Sequence, residues 1–411
     1  MAVSGLSILY TTVHFPFPAI GGDRIKQLKI LEYLALSNKI YLVSLDRGYP
    51  VADEHIKEVE KMGIVPYVFK INKLKAYLNA AALAPFGKPM EVNFFRHPAF
   101  RDKIRDIINS NRIDLTISYY LRTTQYTSRI NGRKLLISDD CRTFYQSRTA
   151  SESEHFRQRA IRKFETARLR KFESKISDYY DTTTYVTSQD LEQARALNGK
   201  ARLRILSNGV DTGKFAPPGD GCHRRGLVFT GKLDAWVNNL IVKRIVEKIL
   251  PGIRAVLPDI KLHIVGANPT GEIMSYGSDN IIIHPNVPDL APYLQDAAVY
   301  IHPHLGGSGI QNKLLEAMAC GCPVVTTHSG AWGFSIVNGF NGFVASNDKE
   351  FIDLTLNLLN NPEHAKNIGS NARGYIIENH SWQRIYEQLD SILEEIFNGR
   401  GINSGSNNIN I

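Results

Sequence analysis

The chain has 411 residues, 43% of them hydrophobic and 22% charged, an ordinary globular composition with room for two or three domains that each bury a core. No apolar run is long enough to cross a bilayer, no basic stretch precedes an apolar core at the N-terminus, and Cys141, Cys222, Cys320 and Cys322 form no C-x-x-C pair, so a cytoplasmic protein without structural zinc is expected. The net charge of +9 is uneven: residues 1–219 hold 35 Lys+Arg against 22 Asp+Glu (+13), and residues 220–411 hold 14 against 18 (−4), so the first half is expected to meet something anionic.

In chain order, the apolar run SILYTTV predicts a first strand, the loop HFPFPAIGG and a helix over 23–36 follow, and KIYLVSL supplies a second strand. This is a βαβ opening. Further strands are expected at VPYVF near 65, DLTISYY at 114–120, KLLIS at 134–138, TTTYVTS at 182–188 and ARLRILSNGV at 201–210, with helices between them. Around 156–175 the run FRQRAIRKFETARLRKFESK places Phe156, Ala160, Phe164, Ala167 and Phe172 at roughly helical spacing beneath eight basic residues. It predicts a basic amphipathic helix whose aromatic stripe is either buried or turned to anionic lipid headgroups. No recognition motif for nucleic acid accompanies the charge.

The turn-rich stretch NGVDTGKFAPPGDG, 208–221, is the expected linker. Beyond it GLVFTG, IKLHIVG, NIIIHP, VYIHP, CPVVTT and GFVA give short strands, with helical segments such as 238–257, 309–320 and 348–360 between them. A last helix, 381–397, precedes a Gly/Ser/Asn-rich tail, 398–411, expected to be disordered. The plan is α/β: two Rossmann-like, doubly wound parallel-sheet domains, 1–215 and 216–380, facing a central cleft, with the final helix packing back on the first domain.

The most informative segment is Ser308 to Val325, SGIQNKLLEAMACGCPVV. A glycine-rich loop opens a helix carrying Lys313 and Glu316, which ends at Gly321-Cys322-Pro323 before a β-branched strand. At about 100° per residue, Asn312, Lys313 and Glu316 share one arc while Leu314, Leu315 and Met318 take the opposite, core-facing one. The backbone N–H groups at the helix start suit a diphosphate, Lys313 adds a cation that can reach it, and Glu316 can accept hydrogen bonds from ribose hydroxyls. A packed helix with Lys313 and Glu316 as an i,i+3 surface pair fits the same local pattern.

With these motifs in view the chain resembles the GT-B glycosyltransferases of family 4, retaining enzymes that transfer a sugar from a nucleotide diphosphate. The likeness runs over about residues 5–396 and rests on PFPAIGGDRIKQL, SNGVDTGKFAP, VFTGKLDAWVNN, IVGANP, VPDLAPYLQDAAVYIHP and GIQNKLLEAMACGCPVV with GFNGFV, in that order. The GIQNK wording is similar to a subgroup associated with exopolysaccharide sugar transfer.

The resemblance implies a donor site on the second domain. Glu316 takes the place of the second carboxylate of the family's paired-glutamate motif, on the donor ribose, and Ser308 stands where the family usually has the first glutamate. Lys232 matches the basic position of the second-domain opener, but Asn238 stands where a lysine is usual. Lys313, one turn into the helix, is a physical replacement for that cation. Gly309, Ile310, Gln311 and Asn312 complete the donor loop, Gly266 lies in a turn beside the nucleotide, and Val287 falls where relatives hold the base through backbone groups. Such recognition leaves uridine, the most frequent choice, and guanosine and thymidine open.

In the first domain the resemblance brings the backbone of Gly21 and Gly22 to the reacting centre. Asp140, beside Asp139, stands where the family often has a histidine; the two are either a general base for the acceptor hydroxyl or a helix N-cap pair. His14 is a second base candidate, and His302 and His304 either pack their loop or contact sugar. The anomeric outcome stays open. No metal or other cofactor is expected, because no D-x-D follows a strand and the helix N-terminus with Lys232 and Lys313 can take the metal's electrostatic role.

The expected function is a metal-independent, hexosyl-type glycosyltransferase, cytoplasmic and peripheral at the inner face of the membrane. It would move a sugar from a nucleotide-sugar donor, UDP-linked foremost, to a lipid-linked, polysaccharide or small-molecule acceptor. Residues 156–175 would meet an anionic membrane surface, and no nucleic-acid partner is expected. The alternatives are a non-catalytic nucleotide-sugar-binding homologue, suggested by Ser308 and Asn238, a membrane-surface adaptor, and a sugar-nucleotide 2-epimerase on the same fold.

Overall fold

The computed structural model describes residues 3–19, 21–46, 51–82, 88–151, 156–219, 221, 223–306 and 309–399. The chain divides into two compact units, Met1–Ser207 with Tyr386–Ile411, and Asn208–Ile385. The division falls ahead of residue 215 because Val210 and Phe215 pack into the second unit's apolar cluster, and the Val210 N–H donates to the His380 carbonyl at 2.8 Å.

In the first unit seven parallel strands run in the order β3-β2-β1-β4-β5-β6-β7. They are β1 (Ser7–Thr12), β2 (Lys39–Asp46), β3 (Ile64–Lys70), β4 (Leu115–Tyr119), β5 (Arg133–Asp139), β6 (Thr182–Tyr185) and β7 (Leu203–Ile205). Ile8, Leu9 and Tyr10 are all fully buried, since helices cover both faces of such a sheet; this is why β1 reads as continuous rather than alternating hydrophobicity. Strand order reverses between β1 and β4, the switch point at whose carboxyl edge open α/β sheets bind ligands.

The second unit has six parallel strands in the order β10-β9-β8-β11-β12-β13: β8 (Leu227–Lys232), β9 (Leu262–Ala267), β10 (Ile281–Pro285), β11 (Val299–His302), β12 (Val324–Thr327) and β13 (Phe343–Ala345). Successive side chains go to opposite faces. Phe229, Ile264 and Ile301 join one apolar cluster with the helices on their side, and Val228, Val265 and Tyr300 join another with Leu314, Leu315 and Met318. The switch point lies between β8 and β11.

Several elements differ from their sequence expectation. The helix expected over 309–320 spans Asn312–Ala319, because Gly309 takes a left-handed φ of +73° in the loop ahead of it. A helix at Pro362–His380 lies where no element was expected. The helix Phe156–Ile176 forms, but its predicted stripe is not the buried face: Phe164 is 56% exposed, while Glu165, Leu169, Glu173 and Ile176 are buried. Both glutamates are buried because they accept backbone N–H groups, Glu165 from Glu91 and Glu173 from Arg142 and Thr143.

The helix Trp382–Asn398 crosses from the second unit into the first. There Tyr386 stacks on Tyr33 with centroids 4.1 Å apart, and the Tyr33 hydroxyl donates to Asp390 at 2.8 Å. The predicted tail lies outside the described residues from position 400 onward. No described helix is long and apolar enough to cross a membrane.

Candidate functional site

In the second unit the predicted residues gather at the carboxyl ends of β8 to β11. Leu314, Leu315 and Met318 are fully buried and pin the helix Asn312–Ala319, which leaves Asn312, Lys313 and Glu316 on the other arc. Gln311 at its N-cap makes no side-chain cap bond, so the first N–H groups are left for water or a ligand. Asn312 accepts from the Asn208 amide at 2.8 Å, tying the start of the unit to the start of the helix.

Lys313 reaches across to Asn238, donating to its Oδ1 at 2.6 Å, and its ammonium stands 5.2 Å from the centre of the Phe229 ring. The other end of the same amide donates to the Lys232 carbonyl at 2.8 Å. Asn238 is buried with both polar ends turned to the protein, so it holds Lys313 in place instead of facing a ligand directly. Lys232 itself sits at the surface, 3.7 Å from Asp234. Ser308 lies outside the described residues.

Burial pulls Lys313 down to about 8, against the opposing attraction of Glu316, and pushes Glu316 up to about 7, opposed by Lys313 and Lys214. His302 is held well below its ordinary value by burial, then by Lys313 and His304, so it is neutral. The Thr326 hydroxyl donates to the His302 carbonyl at 3.0 Å, which leaves its oxygen to accept from His302 Nδ1 at 3.2 Å; Nε2, then unprotonated, is buried with no partner.

Gly266 has a packing reason of its own. A Cβ there would lie 1.7 Å from the Gly231 carbonyl, so only glycine lets β8 and β9 approach. Asn286 donates its N–H to the Gly266 carbonyl at 2.8 Å and accepts from the Asn268 N–H at 2.8 Å, joining the loops after β9 and β10. Val287 packs beside Leu290 and Tyr293 on the apolar cluster.

In the first unit Gly21 is the N-cap of the helix Gly22–Ala35, with φ of +98°. Asp140 accepts from Arg142 at 2.9 Å, and the same guanidinium grips Glu91 at 3.2 and 2.8 Å, so one oxygen of the predicted base is shared with a cation. Asp139, with φ of +66°, pairs with the buried Lys26 at 2.7 Å. The N-cap reading of this pair is corrected by the structure: the N–H groups of Cys141, Arg142 and Thr143 donate to Asp190 and Glu173, over sequence separations of 49, 31 and 30 residues. The His14 carbonyl accepts from Thr12 and Gln27, and its ring meets Phe95 and Tyr120 edge-on. Among the described residues no group of three or more His, Cys, Asp or Glu side chains is placed to hold a metal ion.

Residues 224–361 match the family described as glycosyl transferases group 1. The two parallel-sheet units have the GT-B fold. The chain is 27% identical over 242 residues to a GDP-mannose-dependent alpha-(1-6)-phosphatidylinositol monomannoside mannosyltransferase of Mycolicibacterium smegmatis, covering 53% of this chain and 63% of that relative. The alignment therefore spans less than two thirds of that relative's length. It is 23% identical over 403 residues to an uncharacterized 44.6 kDa protein in the cps region of Klebsiella pneumoniae, covering 93% of this chain and 98% of the other. Among solved structures, Anabaena HepE in complex with UDP-glucose superposes with a TM-score of 0.64 at 14% identity, covering 95% of this chain and all of that one.

The second-unit arrangement offers the backbone N–H groups of a helix start, an ammonium one residue inside it and a carboxylate one turn further. All three are legible in the segment Ser308 to Val325. The contact that fixes the ammonium is not, because Asn238 and Lys313 are 75 positions apart and share no short motif.

Proposed function

We propose that the chain transfers a hexose from a nucleoside diphosphate, UDP foremost, to a lipid-linked or polysaccharide acceptor, without a metal ion. The observation that carries this reading is the Lys313–Asn238 contact of 2.6 Å, which delivers a cation to the position where the family resemblance places a lysine. As the bond from the sugar's anomeric carbon to the diphosphate oxygen breaks, negative charge grows on the leaving diphosphate. The N-terminus of the helix Asn312–Ala319 and the ammonium of Lys313 stabilise that charge, with Lys232 at the rim. Glu316 accepts from the ribose hydroxyls, and Gly309, Ile310 and Gln311 shape the loop around the phosphates.

Support for the base comes from two directions. The Anabaena neighbour is named with UDP-glucose, and the mycobacterial relative is named for GDP-mannose. Asp140, held by Arg142, takes the acceptor's proton, and Gly21 and Gly22 let backbone approach the reacting groups. The basic helix Phe156–Ile176, with Ile161 and Phe164 exposed between cations, meets the anionic inner face of the membrane, where a lipid-linked acceptor resides.

The test is nucleoside diphosphate release from UDP-, GDP- and dTDP-hexoses, with and without a lipid-phosphate acceptor extract, in chelator. One donor is expected to turn over, only with acceptor, and Lys313→Met is expected to slow it by roughly 100-fold or more. Binding without release would instead identify a non-catalytic homologue, and a changed sugar nucleotide in the absence of acceptor would identify an epimerase.

A further inference from the structure

We infer that Lys26 is a positioning residue for acceptor activation: its ammonium, through Asp139, fixes the turn at the end of β5 that presents Asp140. This deepens the reading above of Asp140 as the acceptor's base and rests on it.

The end of β5 departs from a regular strand. In its register with β6, Ile137 faces Thr184 and Asp139 faces Tyr185, so Ser138 is one extra residue on β5, a β-bulge. Asp139 then takes a left-handed φ of +66°, a conformation few non-glycine residues adopt. The Asp140 N–H turns back to the Ser138 carbonyl at 3.1 Å, and the Asp140 carbonyl accepts from the Ser138 hydroxyl at 3.2 Å. Bulges re-aim the side chains beside them, and residues in sparsely populated backbone regions persist where their surroundings hold them.

Lys26 supplies that hold. It is 1% exposed, and its ammonium donates to Asp139 Oδ1 at 2.7 Å and to the Leu206 carbonyl at 2.7 Å. One side chain of the helix Gly22–Ala35 thus joins the end of β5 to the residue after β7. The start of the same helix is held to β4, where the Tyr120 hydroxyl donates to Asp23 at 3.0 Å and the Tyr119 hydroxyl to the Asp23 carbonyl at 3.4 Å. Tyr120 has a left-handed φ of its own, +73°. Gly21, Gly22 and Asp140 are therefore registered to one another through side chains that meet beside the switch point between β1 and β4.

Stability alone does not account for the pair. Taking a lysine and a carboxylate out of water costs about as much as their attraction offsets, and neutral replacements of such pairs are often no less stable. The backbone of Asp139 does not need the charge either, since asparagine also enters the left-handed region. What the charge adds is a fixed direction between Lys26 and the end of β5. One residue further stands Asp140, whose carboxylate accepts from Arg142 at 2.9 Å.

The experiment compares wild type with Lys26→Met, Lys26→Met/Asp139→Asn and Asp140→Asn, in the nucleoside diphosphate release assay above and by amide hydrogen exchange of the full chain. Lys26→Met leaves a carboxylate without its cation and is expected to melt below wild type, whereas the double variant, with both charges gone, is expected to melt close to it. In the double variant, exchange in the peptides containing Asp140 and Val186, whose N–H donates to the Asp139 carbonyl at 2.8 Å, is expected to rise at least about tenfold. Its kcat is expected to fall at least about tenfold while the donor KM changes by less than about twofold. A purely structural pair predicts the reverse, a less stable chain with unchanged turnover per folded molecule. Wild-type exchange at both peptides in the double variant overturns the inference whatever the turnover, and so does wild-type kcat in the double variant when Asp140→Asn has lost activity. Wild-type kcat in Asp140→Asn, or no turnover by wild type, overturns the base reading and the role of Lys26 with it.

Discussion

At Glu316 stability and binding are expected to pull apart. Its carboxyl is raised from 4.5 to about 7, chiefly by burial, so between those values the folded chain keeps a proton that the unfolded chain has released. Stability therefore falls as pH rises from about 4.5 to 7. Glu316→Gln removes that fall: the variant is expected to match wild type near pH 4.5 and to exceed it by on the order of 1–3 kcal/mol at pH 7.5, measured by urea unfolding, while losing nucleotide affinity. Lys313, lowered from 10.5 to about 8, acts in the opposite sense above pH 8, outside this window. The positions of both side chains were legible in the sequence, because one helical arc separates them from Leu314, Leu315 and Met318. The contact of Lys313 with Asn238 was not, since it depends on how two distant helices meet the end of β8.

Among the elements, the site cation is supplied by the helix Asn312–Ala319 and anchored by the helix Trp236–Arg244. Asn238→Leu removes the anchoring bond and is expected to weaken nucleoside diphosphate binding about tenfold, the scale of a hydrogen bond to a charged group. Lys313→Met weakens it further, and Lys313→Met/Asn238→Lys, which returns the cation from the opposite helix, is expected to recover most of the loss in calorimetric titration. A double variant no better than Lys313→Met would show that the two positions are not interchangeable.

Element types were largely readable from apolar runs and helical spacing, with two instructive exceptions. The helix Pro362–His380 contains Gly369 and Gly374, residues of low helix propensity; a Cβ at Gly369 would lie 2.1 Å from the Gly321 carbonyl, so this glycine serves close packing within a helix. In the helix Phe156–Ile176 the buried face includes Glu165 and Glu173, stabilised by backbone N–H groups from elsewhere in the first unit. A hydrophobicity pattern cannot show a buried carboxylate whose partners are remote in sequence.

For the whole molecule, the alternation of strands and helices made two parallel-sheet units legible, and the strand orders follow the doubly wound pattern. The boundary was less so, since Val210 to Phe215 look like a linker by composition but belong to the second unit by packing. The uneven charge has a local form in the first unit, where Lys88, Arg96 and Arg101 line one cavity. The central claim concerns the second unit, and its most direct measurement is thermal unfolding of the full chain with UDP, GDP and dTDP, comparing wild type with Lys313→Ala and Glu316→Ala. One nucleotide at 100 times its dissociation constant is expected to add about 2.7 kcal/mol to the wild type and far less to either variant; no stabilisation of wild type, or an undiminished effect in both variants, would contradict it.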